Sequence, residues 1–125
     1  MSITWLGTIL VVEYPHNELE LIRHYLTEHG YNIIKATNAK EALEIVLEEK
    51  PDAIVTDVVM PGMSGFELCR FLKSHSTHHK VRIVICSTKN QAIHHLWARK
   101  QGADAYISKP YTLEELLSVI QSVAI

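Results

Sequence analysis

Short apolar runs alternate with amphipathic stretches along this whole chain, five times over, with no linker or low-complexity segment between them. That alternation restricts the fold more than any other property of the sequence. Gly7 to Glu13 is a β-branched run ending on an acid, and residues 17–29 follow with Leu19, Ile22 and Leu26 at helical spacing before Gly30 closes the helix. Tyr31 to Ala36 makes a second strand, and Asn38 caps a helix whose apolar stripe is Ala42, Leu43, Ile45, Val46 and Leu47, stopped by Pro51. Ala53 to Asp57 is the third strand, and Ser64 starts a helix carrying Phe66, Leu68, Cys69, Phe71 and Leu72. After a polar loop over residues 74–80, the pattern repeats with a strand from Val81 to Ser87, a less hydrophobic helix from Asn90 to Gln101, a strand from Ala103 to Ser108 and a Lys109-Pro110 break. Thr112-Leu113-Glu114-Glu115 is a capping box that opens the last helix.

Strands this uniformly apolar are buried on both faces, which is the condition of a parallel sheet covered by helices. Right-handed crossovers leave few topologies, so the predicted fold is α/β, a doubly wound five-stranded parallel sheet with helices on both sides. Ligands of such sheets bind outside the carboxyl ends of the strands, where the strand order reverses. Glu13 ends the first strand, Asp57 the third and Ser87 the fourth, while Lys109 follows the fifth. Four polar groups from distant parts of the chain therefore meet at one edge. Asp57 opens directly into the Pro/Gly loop Val58-Val59-Met60-Pro61-Gly62-Met63-Ser64-Gly65, which presents its carboxylate at the top of the sheet.

At 125 residues the chain is expected to form one domain, residues 1–125. A net charge of −2 provides no basic field, so nucleic acid is not an expected partner of this domain. No apolar run approaches the ~18 residues of a membrane span. Cys69 and Cys86 lack metal-site or redox spacing and read as buried thiols of a reducing compartment, so the expected location is the cytoplasm.

With these residues in view, the chain resembles the receiver domain of bacterial two-component response regulators, the family that includes the single-domain chemotaxis regulators. The resemblance runs from about Ile9 to Ala124. It is carried by Asp57-x-x-Met60-Pro61-Gly62-Met63-x-Gly65 and by Lys109-Pro110 after Ala105-Tyr106-Ile107-Ser108. It implies a flavodoxin-like strand order 2-1-3-4-5 with five helices. It also implies a signalling module rather than an enzyme, in which Asp57 accepts a phosphoryl group from a sensor histidine kinase or a phosphotransfer protein. Mg²⁺ would be held by Glu13, Asp57 and the backbone carbonyl of Val59, with Lys109 on a phosphoryl oxygen. Ser87 would hydrogen-bond the new phosphoryl group, and Tyr106 would couple that event to a contact face for a downstream protein, built from the fourth helix, fifth strand and fifth helix. No output region follows Ile125, so a stand-alone or excised receiver is expected.

One position departs from the family. Its acid pair at the end of the first strand is here Glu13-Tyr14, and the second acid is the one that usually touches the metal. The loss corresponds to about 1–3 kcal/mol of metal binding. The alternative reading is therefore a degenerate receiver, an interaction module that works without phosphorylation. Val59 and Lys89, two residues beyond Asp57 and Ser87, occupy positions that tune the lifetime of the phosphoryl group in the family. An apolar Val59 cannot position a hydrolytic water, so a phosphoaspartate is expected to be long-lived.

Other features compete for attention. A flavin carrier could share the strand order, but Tyr14-Pro15-His16-Asn17 lacks the small hydroxylated cradle a flavin phosphate needs. None of the eight histidines has a Cys or carboxylate at ligand spacing; His75, His78, His79, His94 and His95 read as solvated surface. Ile93, Leu96 and Trp97 suit a contact patch on the fourth helix, and Trp5 a position against the lower edge of the sheet.

Overall fold

The computed structural model describes residues 5–13, 18–75, 80–88 and 91–123. Strand β1 (Gly7–Val12) leads to α1 (Leu19–Glu28), β2 (Tyr31–Ala36), α2 (Ala39–Glu49), β3 (Ala53–Asp57), α3 (Gly65–Ser74), β4 (Arg82–Ser87), α4 (Ala92–Lys100), β5 (Ala105–Ser108) and α5 (Leu113–Ser122). All strand pairs are parallel and the sheet order is β2-β1-β3-β4-β5, as the alternation and the resemblance implied.

Helix starts follow local chemistry. Asn38 accepts a hydrogen bond from the Glu41 N–H at 2.8 Å, and Thr112 with Glu115 forms the expected capping box. Ser64 and Glu67 form a second box at the start of α3 that the sequence reading did not single out. β5 is shorter than expected because the residues before it are used elsewhere. Ala103 donates its N–H to Ala98 and closes α4, while Asp104 pairs with Ile83 through both backbone and side chain.

The two sides of the sheet carry separate cores. Leu10, Val12, Ile54, Ile83 and Ile85 pack under α2, α3 and Ala98 of α4. Ile9, Val11, Val55, Val84, Cys86 and Ile107 pack under α1 and α5, against Ile22, Leu26, Leu116 and Ile120. Successive strand side chains point to opposite faces, so uninterrupted apolar runs fill both layers. Two expected stripe residues lie outside: Leu47 is 63% exposed and Phe71 is 39% exposed. α2 buries Ala39, Ala42 and Val46, and Leu47 lies one helical step of about 100° from Val46, beyond that face. Cys69 and Cys86 are buried free thiols, as expected.

Candidate functional site at the carboxyl edge of the sheet

Every residue of β3 is buried, so the strand delivers Asp57 to the sheet edge with little freedom. The chain then turns through Gly62, whose φ of +76° is a conformation that favours glycine, and returns so that the N–H of Gly65 donates to the Val58 carbonyl at 2.8 Å. A Cβ on Gly65 would lie 2.0 Å from the Asp57 carbonyl oxygen. The first turn of α3 is thus packed directly on the Asp57 backbone, a contact only glycine permits.

Lys109 is placed by the neighbouring ladder. Its N–H donates to the Ser87 carbonyl at 2.7 Å, continuing the β4–β5 pairing, and its ammonium lies 2.5 Å from Asp57 Oδ1. Asp57, Val58, Val59, Cys86, Ser87, Thr88 and Lys109 line a cavity of about 100 Å³. That is room for a group the size of a few waters, each occupying about 30 Å³. Ser87 is buried, whereas Val59 is 73% exposed beside the cavity.

Glu13 lies just past β1, buried, with Oε2 free of any hydrogen-bond partner among the described residues. Burial raises its pKa, and the charges of Asp57 and Glu18 raise it further, against a lowering by Lys109 and by a hydrogen bond from the Glu18 backbone. Burial alone would lower the Lys109 pKa, but its hydrogen bond and charge pairing with Asp57 more than offset this, and the net direction is up. The Cys86 thiol is pushed up to about 12 by burial and by the Asp57 charge, so it stays protonated. Tyr111, which the sequence reading did not single out, hydrogen-bonds to Cys86. Its phenol is raised first by burial and then by the nearby Cys86, Glu13 and Asp57.

Mg²⁺ takes oxygen ligands from one or two carboxylates and keeps several waters. The orphaned Glu13 oxygen beside the Asp57 charge is a donor set of that kind, so the residues fit the ion. Among the described residues no group of three or more His, Cys, Asp or Glu side chains could hold a metal ion, so the side-chain donors are this pair of acids alone. Tyr14 and Lys89 lie outside the described residues.

Tyr106 is half-buried on the α4 side of β5, and its ring meets that of His95 at 4.3 Å between centroids. This corrects the reading of His94 and His95 as solvated surface. Both are half-buried, and His94 Nδ1 is shielded without a partner among the described residues. The reason is position: α4 covers the short strand β5, and its inner side must fill the space above Tyr106. The outer side leaves Ile93, Leu96 and Trp97 exposed. Trp5 is likewise partly exposed.

Comparison with known proteins agrees with this arrangement. The family model described as "Response regulator receiver domain" matches residues 9–121. This chain belongs to the response-regulator receiver family. The receiver is 33% identical to the protein PilH of Pseudomonas aeruginosa over 94% of its own length and 98% of that protein. It is also 36% identical to the response regulator MprA of Mycolicibacterium vanbaalenii, of which it spans 47%. Among solved structures it matches the chemotaxis response regulator CheY4 of Vibrio cholerae with a TM-score of 0.88 at 27% identity, covering 94% of this chain and 98% of that one. Receivers are modules of two-component signalling rather than classical enzymes. Among the described residues no helix is long and apolar enough to cross a membrane.

Proposed function

We propose that this receiver is a phosphoacceptor: a carboxylate oxygen of Asp57 attacks the phosphorus of a phosphohistidine on a kinase or phosphotransfer protein. A P–O bond forms, the P–N bond breaks, and the imidazole leaves with the bonding pair. The observation that carries this reading is the Asp57–Lys109 pair at the wall of a cavity that also holds Ser87. Lys109 is a fixed cation where negative charge gathers as carboxylate and phosphoryl oxygens approach, and its pairing keeps it charged. Mg²⁺, held by Glu13, Asp57 and the Val59 carbonyl, supplies further charge neutralisation when bound. Ser87 donates its hydroxyl to a phosphoryl oxygen, drawing the end of β4 toward Asp57. Tyr106 of β5, its ring against His95 of α4, transmits that shift to the α4-β5-α5 face, where exposed Ile93, Leu96 and Trp97 meet a downstream protein. The partners are proteins of the cytoplasm.

The test is a titration with beryllofluoride and Mg²⁺ followed by Trp97 fluorescence in a Trp5→Phe background. The receivers of RstA from Klebsiella pneumoniae and of DrrB are described as activated by BeF3. A saturable change that Asp57→Asn abolishes supports the reading, and no change at millimolar Mg²⁺ overturns it. The second reading, a degenerate receiver with a constitutive contact face, is favoured by Tyr14 standing where the family carries an acid. Partner capture equal for wild type and Asp57→Asn supports that reading.

A further inference from the structure

Two cavities lie along one flank of α2. The upper, about 520 Å³, is walled by Lys40 and Leu43 of α2 and by Pro61 and Met63 of the loop between β3 and α3. The lower, about 640 Å³, is walled by Leu47, Lys50 and Pro51 and, where the chain enters β4, by Lys80 and Val81. Leu43 and Leu47 stand one turn apart, so the two cavities are ends of one groove that follows the helix.

The charges of α2 are sorted about that groove. At about 100° per residue, Lys40, Leu43 and Leu47 fall within about 60° of one another, whereas all four glutamates of the helix lie about 100° or more from Leu43. Lys40, Lys50 and Lys80 form no ion pair among the described residues, which include every Asp and Glu of the chain. Asp52, the acid in the lower wall, accepts a hydrogen bond from the Thr8 N–H at 2.8 Å.

Two groove residues run against local preference. Leu47 is 63% exposed, and Lys50 ends α2 at a φ of +48°, a left-handed conformation that favours glycine. A single exposed leucine is ordinary on a protein surface. Here it stands beside a lysine held where glycine would relax the backbone.

We propose that this groove docks an acidic amphipathic helix of a partner protein. The apolar stripe of that helix lies on the Leu43–Leu47 ridge, whose i, i+4 spacing suits ridges-into-grooves packing. Its acids meet Lys40 at one end and Lys50 with Lys80 at the other. Ten residues separate Lys40 from Lys50, about 15 Å along a helix axis, so about three turns of partner helix span the groove. The surface is distinct from the α4-β5-α5 face, and the proposal stands whether or not Asp57 is phosphorylated.

The probe is a fluorescein-labelled synthetic helix of about four turns, with leucines at i, i+4 and i+7 and glutamates at both ends of that stripe, titrated into the full chain by anisotropy. A scrambled peptide and one with lysine for every glutamate are the peptide controls. Leu21→Ser, on the exposed side of α1, controls for non-specific apolar contact. The expected result is saturable binding that Leu47→Ser weakens about tenfold and Lys50→Gly and Lys80→Ala each weaken about threefold to fivefold, less so at high salt, with Leu21→Ser unchanged. Lys50→Gly should keep a urea midpoint at or above wild type, which separates lost docking from lost folding. No binding of the glutamate peptide at about 1 mM, equal binding of either control peptide, or indifference to Leu47→Ser overturns the proposal. If sedimentation velocity shows self-association that Leu47→Ser abolishes, a second copy occupies the groove and the partner helix is overturned.

Discussion

Gly62 and Gly65 share one loop but are glycine for different reasons, and substituting alanine separates them. At Gly65 the added Cβ would meet the Asp57 carbonyl oxygen at 2.0 Å, the Asp57 carbonyl carbon at 2.9 Å and Val58 Cα at 3.0 Å, where contacts below 3.0 Å essentially never occur. The nearest neighbour is backbone, so relief requires α3 or the end of β3 to move by at least 1 Å, the difference between those limits. Both are fixed, α3 by its capping box and β3 by pairing on each side. Overpacking of this kind costs about 3 kcal/mol, and the shift also weakens the hydrogen bond from Gly65 to Val58. For a chain of this size that lowers Tm by roughly 10 °C. Gly62→Ala meets nothing within 4 Å and carries only the penalty of its positive φ, about 1 kcal/mol. The assay is urea and thermal unfolding, with beryllofluoride binding measured on the folded protein. Gly65→Ala should lose stability and displace Asp57, weakening binding, while Gly62→Ala should bind normally. A Gly65→Ala protein with the stability and binding of wild type would refute the close-approach argument.

The remaining predictions concern charge, packing and lifetime. Glu13 has a raised folded-state pKa, so the folded protein holds its proton more tightly than the unfolded chain, and stability falls as pH rises from the ordinary value of 4.5 through the raised one. In EDTA, Glu13→Gln should remove that fall and so gain on wild type between pH 4 and neutrality; parallel urea midpoints across that range would count against it. Lys73→Met removes donors to the Val81 carbonyl at 2.7 Å and Asp104 Oδ2 at 2.9 Å, leaving a largely buried carboxylate short of a partner. It should cost about 2–3 kcal/mol in urea unfolding. His95→Ala should cost about 1 kcal/mol through the lost ring contact with Tyr106, and His95→Phe should recover most of it, both read from denaturation midpoints. If Asp57 is labelled by a phosphodonor, the label should persist for minutes or longer with Val59 and shorten in Val59→Asn, whose amide can hold a water; loss within seconds from wild type overturns this.

The order of the elements was legible because it is local. Hydrophobic period, Gly30 and Pro51 as stops, and the Thr112 capping box each act within a few residues. Placing Glu13, Asp57, Ser87 and Lys109 at strand ends followed from the same runs, since parallel strands under right-handed crossovers must share one carboxyl edge. Helix rotation was less legible: Leu47 and Phe71 matched apolar stripes but face outward, because a stripe wider than the buried face has edges in solvent.

Only tertiary structure decided which groups touch across the chain. The approach of Gly65 to the Asp57 carbonyl depends on how closely α3 returns to β3. His95 against Tyr106, Tyr111 on Cys86, Lys73 on Asp104 and the Glu18 backbone on Glu13 depend on register and helix setting, both fixed by packing summed over the two cores. Local pattern determines which segments become strands and which become helices. What a side chain meets is a property of elements far apart in sequence, and it exists only once the sheet has closed its order.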